Sequence, residues 1–322
     1  LAFPTGNFDL NFCEDCGFIF NSAFDESLIE YSERYDPTQA FSGTFNRWHQ
    51  QLAENLVDRY DLRGKRIIEI GCGKGEFLTM LCELGSNLGI GFDPAVNVER
   101  TRVPKAGETR FVQDFYSEKY ADQKSDFVCC KMTLEHIAPT ADFVETVRRS
   151  VGDDVETTVF FQVPDVMRIL KEQVFVDVYY EHCNYFSGGS LARLFRRAGF
   201  AVENIECDYD DQYLMIDCRP AEQGEETRLL PEEQDFEELQ HLVERFAREL
   251  PGQLTRWQDV IQSYRADNKR VIIWGGGSKG VAFLTTLGLD SEIDYVVDIN
   301  PYKQDKYMPV TGHRVVGPEH TK

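Results

Sequence analysis

Tyr179 to Ser187 reads YYEHCNYFS and sets Glu181 and His182 side by side inside an aromatic run. Histidine titrates near neutrality, so an imidazole beside a carboxylate suits proton transfer; the same pair can ligate a metal or simply pack. A second chemical spacing lies far upstream, in CEDCGFIFN, where Cys13 and Cys16 stand at the C-x-x-C interval of a zinc knuckle and Gly17 permits its tight turn. Tetrahedral zinc takes four ligands and the sequence holds no second C-x-x-C. The pair is therefore expected to be part of a site whose other ligands precede Leu1, with two unrelated thiols as the alternative.

Two glycine loops follow strand-like runs. EIGCGKGE places Gly71, Gly73 and Gly75 after RIIEI, so a ligand can approach the backbone closely and meet the unpaired N–H groups opening a helix. Its spacing is G-x-G-x-G, and Glu76 stands where a dinucleotide fingerprint wants a third small residue, which disfavours NAD. The second loop, WGGGSKG, does satisfy G-x-G-x-x-G through Gly275, Gly277 and Gly280, with Asp298 closing the next strand. Taken alone it supports an NAD-dependent oxidoreductase; in so short a unit its glycines equally allow close approach of a phosphate or of neighbouring backbone.

The elements that must hold these residues alternate as α/β. FNRWHQQLAENLVDRY spaces Trp48, Leu52, Leu56 and Val57 for one helix face, with His49 beside Trp48 as a structural or pocket-rim residue. Strands are expected at RIIEI, LGIGFD, RFVQDF, DFVCCKM and TTVFFQV, and helices at GEFLTMLCELG, TADFVETVRRSVG and SLARLFRRAGF, giving a mainly parallel sheet. The acidic stretch AEQGEETRLLPEEQDFEELQ reads as a linker into a helix that Pro251-Gly252 breaks before a second helical stretch. KRVIIWGGGSKG then begins a second Rossmann-like unit. The expected division is a cysteine-rich segment at 1–31, a main α/β domain at 32–220, linker and helices at 221–267, and an incomplete Rossmann-like domain at 268–322. Because the chain opens on Leu1 and stops soon after HRVVGPE, terminal pieces are expected to be missing.

A chain of 322 residues, 42% of them hydrophobic, can bury two cores. Its net charge of -21 repels nucleic acid and anionic membrane surfaces. No run approaches the roughly 18 to 20 apolar residues of a membrane span. The nine cysteines, an odd number sitting mostly in apolar runs, fit reduced thiols and a cytoplasmic setting. The expected partner is a small molecule.

Glu69 to Gly75 resembles motif I of the class I S-adenosylmethionine-dependent methyltransferases. That resemblance implies that Glu69, Gly71, Gly73 and Gly75 surround the cofactor's methionine end and Asp93 binds its ribose. It also puts Asp114 and Phe115 at the adenine, and Leu134 and His136 of MTLEHI beside the sulfonium. More narrowly, VPDVMRIL, YYEHCNYFS, SLARLFRRAGF and the C-terminal GGGSKGVAFLTTLGL resemble the sugar C-methyltransferases, which join a zinc segment, a methyltransferase core and a C-terminal Rossmann-like domain. The family's chemistry implies a nucleotide-linked 4-keto deoxysugar, methylated on the carbon next to the ketone through an enolate. His182 would be the base, Glu181 its carboxylate partner, and Tyr185 a hydroxyl for the ketone oxygen if the segment makes a helical turn. No metal is required for that step. Adjacent strand residues face opposite ways, so Glu181 and His182 share a pocket only if the backbone bends there. O- or N-methylation of another small metabolite is the alternative within transferases. The chain departs from the family at Phe41-Ser42, where a tyrosine is expected and Tyr35 is a possible substitute. A second departure is Asp210, Asp211 and Gln212, which replace a glycine- and histidine-containing stretch; both departures bear on the substrate.

Overall fold

The computed structural model describes residues 3–29, 39, 41–226 and 228–321; Tyr35 lies outside them. Strands β1 (Leu10–Phe12) and β2 (Ile19–Asn21) form an antiparallel hairpin with the Cys13–Gly17 turn at its tip. Helix α1 (Gly43–Arg59) starts at Ser42, whose hydroxyl accepts the Phe45 N–H, so the residues after Phe41 serve as a helix cap. His49, Leu52, Ala53, Leu56 and Val57 form its buried face.

The core then alternates as β3 (Arg66–Ile70), α2 (Glu76–Gly85), β4 (Leu88–Phe92), β5 (Glu108–Val112), β6 (Phe127–Lys131), α3 (Thr140–Val151), β7 (Thr158–Pro164), α4 (Val166–Glu172), β8 (Asn184–Tyr185), α5 (Gly188–Arg197), β9 (Phe200–Asp208) and β10 (Tyr213–Pro220). Seven strands make one sheet in the order β5-β4-β3-β6-β7-β10-β9, in which only β10 runs antiparallel to its neighbours. The order reverses between β3 and β6, and the crevice beyond the carboxyl ends of those two strands is where such sheets bind ligands. The short strand β8 leaves this sheet and pairs with β2, so the N-terminal hairpin and the YYEHCNYFS segment are one structure.

The expected break at Pro251 is not there. Helix α6 runs from Phe236 to Ala266 with Pro251 inside it. A proline costs the helix one hydrogen bond, but Leu239, Leu242 and Phe246 before it and Ile261 after it belong to one buried cluster with α4, and that packing keeps the axis continuous. The same cluster takes in the closing unit, made of β11 (Ile272–Trp274), helix α7 (Ser278–Leu287), β12 (Tyr295–Val297) and β13 (Val315–Val316), three parallel strands with one helix. Among the described residues no helix is long and apolar enough to cross a membrane.

Candidate active site

Gly71, Gly73 and Gly75 all adopt positive φ, at 71°, 53° and 74°. A Cβ on Gly71 would lie 2.0 Å from Thr133 Oγ1, and one on Gly75 2.3 Å from the Phe111 ring, so these two positions press against the protein itself. Gly73 differs: nothing lies within 4 Å of the place its Cβ would take. Its N–H donates to Asp93 Oδ2 at 2.9 Å, while the Ala95 N–H donates to Oδ1 at 2.7 Å. Each oxygen keeps a second lone pair, so Asp93 can still accept from a diol. An open face over Gly73, a half-buried aspartate beside it and the N-terminus of α2 fit an adenosylmethionine. Glu69 faces the other way. It is buried, and its Oε2 accepts the Leu78 N–H at 3.0 Å, so it braces α2 under the loop.

Next to Glu69 lies a part-buried contact between Lys131 and His49 that sequence reading missed. Lys131 Nζ sits 2.6 Å from His49 Nε2 and 3.5 Å from the centroid of Phe77. Burial draws the Lys131 ammonium down and pushes the Glu69 carboxyl up, each partly offset by the other's charge. Burial, and then Lys131, take His49 down to about 2. The polar signal was available in the sequence, but nothing in it said that α1 and the end of β6 would meet.

The backbone does bend at Glu181. The His182 N–H donates to the Tyr179 carbonyl at 3.0 Å, closing a turn that brings Tyr179 Oη within 2.8 Å of His182 Nε2. The segment after the turn docks on the LEHI loop: the Cys183 thiol donates to the Glu135 carbonyl at 3.4 Å, and Asn184 Nδ2 to the Ile137 carbonyl at 2.7 Å. From the other side the Asn21 N–H donates to the Cys183 carbonyl at 2.9 Å. His182 is thus held between the hairpin and the loop after β6.

The carboxylate that this arrangement brings to His182 is Glu135. Its Oε1 lies 3.9 Å from His182 Nε2 and 4.0 Å from His136 Nε2, and the two imidazole rings meet edge to face at 4.8 Å. Burial pushes the Glu135 carboxyl up to about 8 and takes His136 down to about 4, the latter resisted by a hydrogen bond to the Glu181 backbone. His182 is held well below its ordinary value by burial, then by the nearby His136 and Lys279. Glu181 therefore contributes its backbone, and its own carboxyl is half-buried and raised by burial. Glu135 was hidden in the sequence because it sits one residue from the more conspicuous His136.

Other expectations need correcting. Tyr185 is on strand β8 instead of a helical turn, although its ring lies 6.3 Å from that of His182 and its hydroxyl is buried with no side-chain partner among the described residues. Leu134 is fully buried in the hydrophobic core, where its side chain packs. Asp114 turns toward its own neighbours, accepting from Tyr120 Oη at 2.6 Å and pairing with Lys119, while Phe115 is 62% exposed and open to a ring. Asp210 and Asp211 are exposed in the β9–β10 turn. Cys13 and Cys16 flank a tight turn, with the Gly17 N–H donating to the Cys13 carbonyl at 2.8 Å. Backbone N–H groups of Asp15 and Cys16 lower the Cys13 thiol. Burial raises the Cys16 thiol; two cysteines are half of a zinc site, and among the described residues no third ligand joins them.

Comparison with known proteins shows the family. A methyltransferase domain family matches residues 43–205, half of the chain, and a C-methyltransferase C-terminal domain family matches residues 218–322. The C-methyltransferase NovU of Streptomyces niveus is 26% identical over 293 residues, covering 86% of this chain and 69% of its own. The ubiquinone biosynthesis O-methyltransferase of Neisseria meningitidis serogroup C is 26% identical over 229 residues, covering 60% of this chain and 94% of its own. Among solved structures, the magnesium protoporphyrin IX methyltransferase of Synechocystis PCC 6803 is 14% identical, covers 58% of this chain and 86% of its own, and gives a TM-score of 0.42. With its glycine loop, its doubly wound sheet and both domain families in order, the chain belongs to the class I S-adenosylmethionine-dependent methyltransferases, as a C-methyltransferase.

Proposed function

We propose that this protein methylates the carbon next to the ketone of a nucleotide-linked keto deoxysugar, with His182 removing the proton from that carbon. The observation that carries the reading is the state of His182: a buried imidazole, uncharged because burial disfavours its cation, whose Nδ1 has no partner among the described residues. In the tautomer whose Nε2–H donates to Tyr179 Oη, Nδ1 keeps a free lone pair. A buried acceptor without a partner costs about 1–3 kcal/mol, and a proton-abstracting group before its substrate arrives is one reason to keep such an atom. Glu135 supplies the negative charge that an imidazolium formed at this site needs, once the carboxyl is ionised.

Gly73, Asp93 and the α2 N-terminus would hold the adenosylmethionine, which supplies an electrophilic methyl on a positively charged sulfur. The protein's own part is to desolvate the substrate carbon, take its proton and hold the oxygen; the buried Tyr185 hydroxyl, which has no side-chain partner among the described residues, is suited to the last. A nucleotide is favoured by the second glycine loop, where Lys303 Nζ lies 3.9 Å from the Cβ position of Gly277, and by the edge-to-face Phe41–Tyr302 pair. Cys13 and Cys16 belong to a structural zinc in this reading, and free cysteines fit a cytoplasmic enzyme. In deuterated water the carbon beside the ketone should exchange in the presence of enzyme, and His182→Ala should lose exchange and methyl transfer together, by roughly 10²- to 10⁴-fold. Full transfer by His182→Ala would sink the assignment.

A further inference from the structure

Glu135, His136 and His182 have a second capacity that proton transfer does not use. Each offers one ligand atom, and the three atoms lie within 4.8 Å of one another. The two imidazole nitrogens sit 3.9 and 4.0 Å from the same carboxylate oxygen, Glu135 Oε1. In a tetrahedral site with bonds of about 2.0–2.1 Å, donor atoms stand roughly 3.4 Å apart, so those two gaps need to close by only about 0.5 Å. An independent sign is Glu135 itself: its side chain is 1% exposed, and among the described residues no other residue donates a hydrogen bond to either oxygen. Burying a carboxyl in that condition is unfavourable unless a cation or a proton joins it. The ligands are also braced from outside, as metal-binding histidines and carboxylates generally are. His136 is hydrogen-bonded to the Glu181 backbone, and the Glu135 carbonyl accepts from Cys183 Sγ.

We infer that Glu135, His136 and His182 bind a divalent transition-metal ion of the zinc class, and that its occupancy switches off proton transfer. Two imidazoles and one carboxylate are a donor set suited to zinc, cobalt(II) or iron(II), and poorly suited to calcium or magnesium. The switching half of the inference rests on His182 being the base. A metal on His182 Nε2 displaces the hydrogen bond to Tyr179 Oη and shifts the neutral ring's one proton from Nε2 to Nδ1, which removes the lone pair that would attack the substrate proton. The same imidazole cannot serve both partners at once.

The test uses the full chain after chelator treatment, with Cys13→Ser and Cys16→Ser so that the knuckle cannot bind. Cobalt(II) titrated into it should bind with one-to-one stoichiometry and give d–d absorption without thiolate charge transfer. Glu135→Gln and His136→Gln, two variants close in shape to the original, should each weaken that binding at least tenfold. Absence of stoichiometric binding, or binding unchanged in both variants, overturns the site. In a separate arm, one equivalent of zinc should lower methyl transfer at least tenfold and a chelator should restore it; unchanged or raised activity in the zinc-loaded protein overturns the switch. Failure of the base assignment is seen elsewhere, as deuterium exchange that persists in metal-free His182→Ala, and it leaves the cobalt spectrum of the unmutated site untouched.

Discussion

The two glycine loops of this chain are wired almost identically and live in different surroundings. At the first, Asp93 accepts N–H groups from Gly73 at 2.9 Å and from Ala95 at 2.7 Å. At the second, Asp298 accepts from Gly276 at 2.7 Å and from Asn300 at 2.7 Å. In both, the aspartate that closes the second strand clamps the turn that follows the first. That wiring therefore identifies a Rossmann-like turn and says nothing about its ligand. The surroundings do. Under the first loop lie Glu69, Lys131 and His49, and the LEHI loop leads from the next strand, β6, to the His182 segment. The second follows a strand ending in Trp274, which is 61% exposed, and its third glycine makes room for the protein's own backbone: a Cβ on Gly280 would lie 2.3 Å from the Gly275 carbonyl oxygen.

The largest expected difference between them is in cofactor affinity. Asp93→Ala removes two hydrogen bonds to a carboxylate, each worth about 1.5–3 kcal/mol, and with them the acceptor for a ribose diol. Adenosylhomocysteine binding, followed by calorimetry, should weaken at least ~100-fold, about 2.7 kcal/mol. Asp298→Ala loses the same local bonds, yet should leave that affinity within about twofold while lowering the thermal stability of the C-terminal unit. Equal losses in both variants would erase the functional distinction between the loops.

How much of this could be read from residues alone differs between the two regions for the same reason. The sheet strands, their helices and both glycine turns were readable because each is specified by local pattern: apolar runs, then glycines, then helical spacing. Glu135, Tyr179 and the Lys131–His49 contact were not, because each depends on which loops the fold brings together. Tyr179 and His182 meet through a turn, which the alternation rule for strands did not anticipate. The hairpin carrying Cys13 and Cys16 read as a separate segment, whereas β2 pairs with β8 and helps set the position of His182. Pro251 misled in the opposite sense, since a strong local stop signal gave way to buried packing on both sides of it.

The buried charges under the first loop should also be visible in acid. His49 is neutral in the folded protein down to about 2, but takes a proton in the unfolded chain below its ordinary value near 6.5. Between those limits the unfolded state binds the extra proton, so stability falls as pH falls, by up to about 1.4 kcal/mol per pH unit for one group. His49→Gln can still accept from Lys131 and does not titrate. Its denaturant-unfolding free energy should therefore drop less steeply between pH 6.5 and 5, by about 1.7 kcal/mol over that range. His136 and His182 titrate in both proteins and cancel in the difference. Parallel curves would mean that His49 is not held neutral by its burial, and the charged layer would no longer separate the two loops.

The smallest expected effect is the most direct test of where the ligand lies. Gly73 and Gly288 have matching local circumstances: φ of 53° and 62°, and nothing within 4 Å of either Cβ position. Gly73 lies in the first loop, whereas Gly288 caps the end of α7 in the second unit. Alanine at either position meets the same left-handed strain, about 1–2 kcal/mol, so the two variants should lose similar stability in denaturant unfolding. Their binding should diverge. The new methyl at Gly73 points into the space assigned to the cofactor and should weaken adenosylhomocysteine about tenfold, roughly 1.4 kcal/mol, whereas Gly288→Ala should bind as the unmodified chain does. A Gly73→Ala protein that binds the cofactor normally would show that the open face over the first loop is solvent, and the cofactor would have to be sought along another edge of the same crevice.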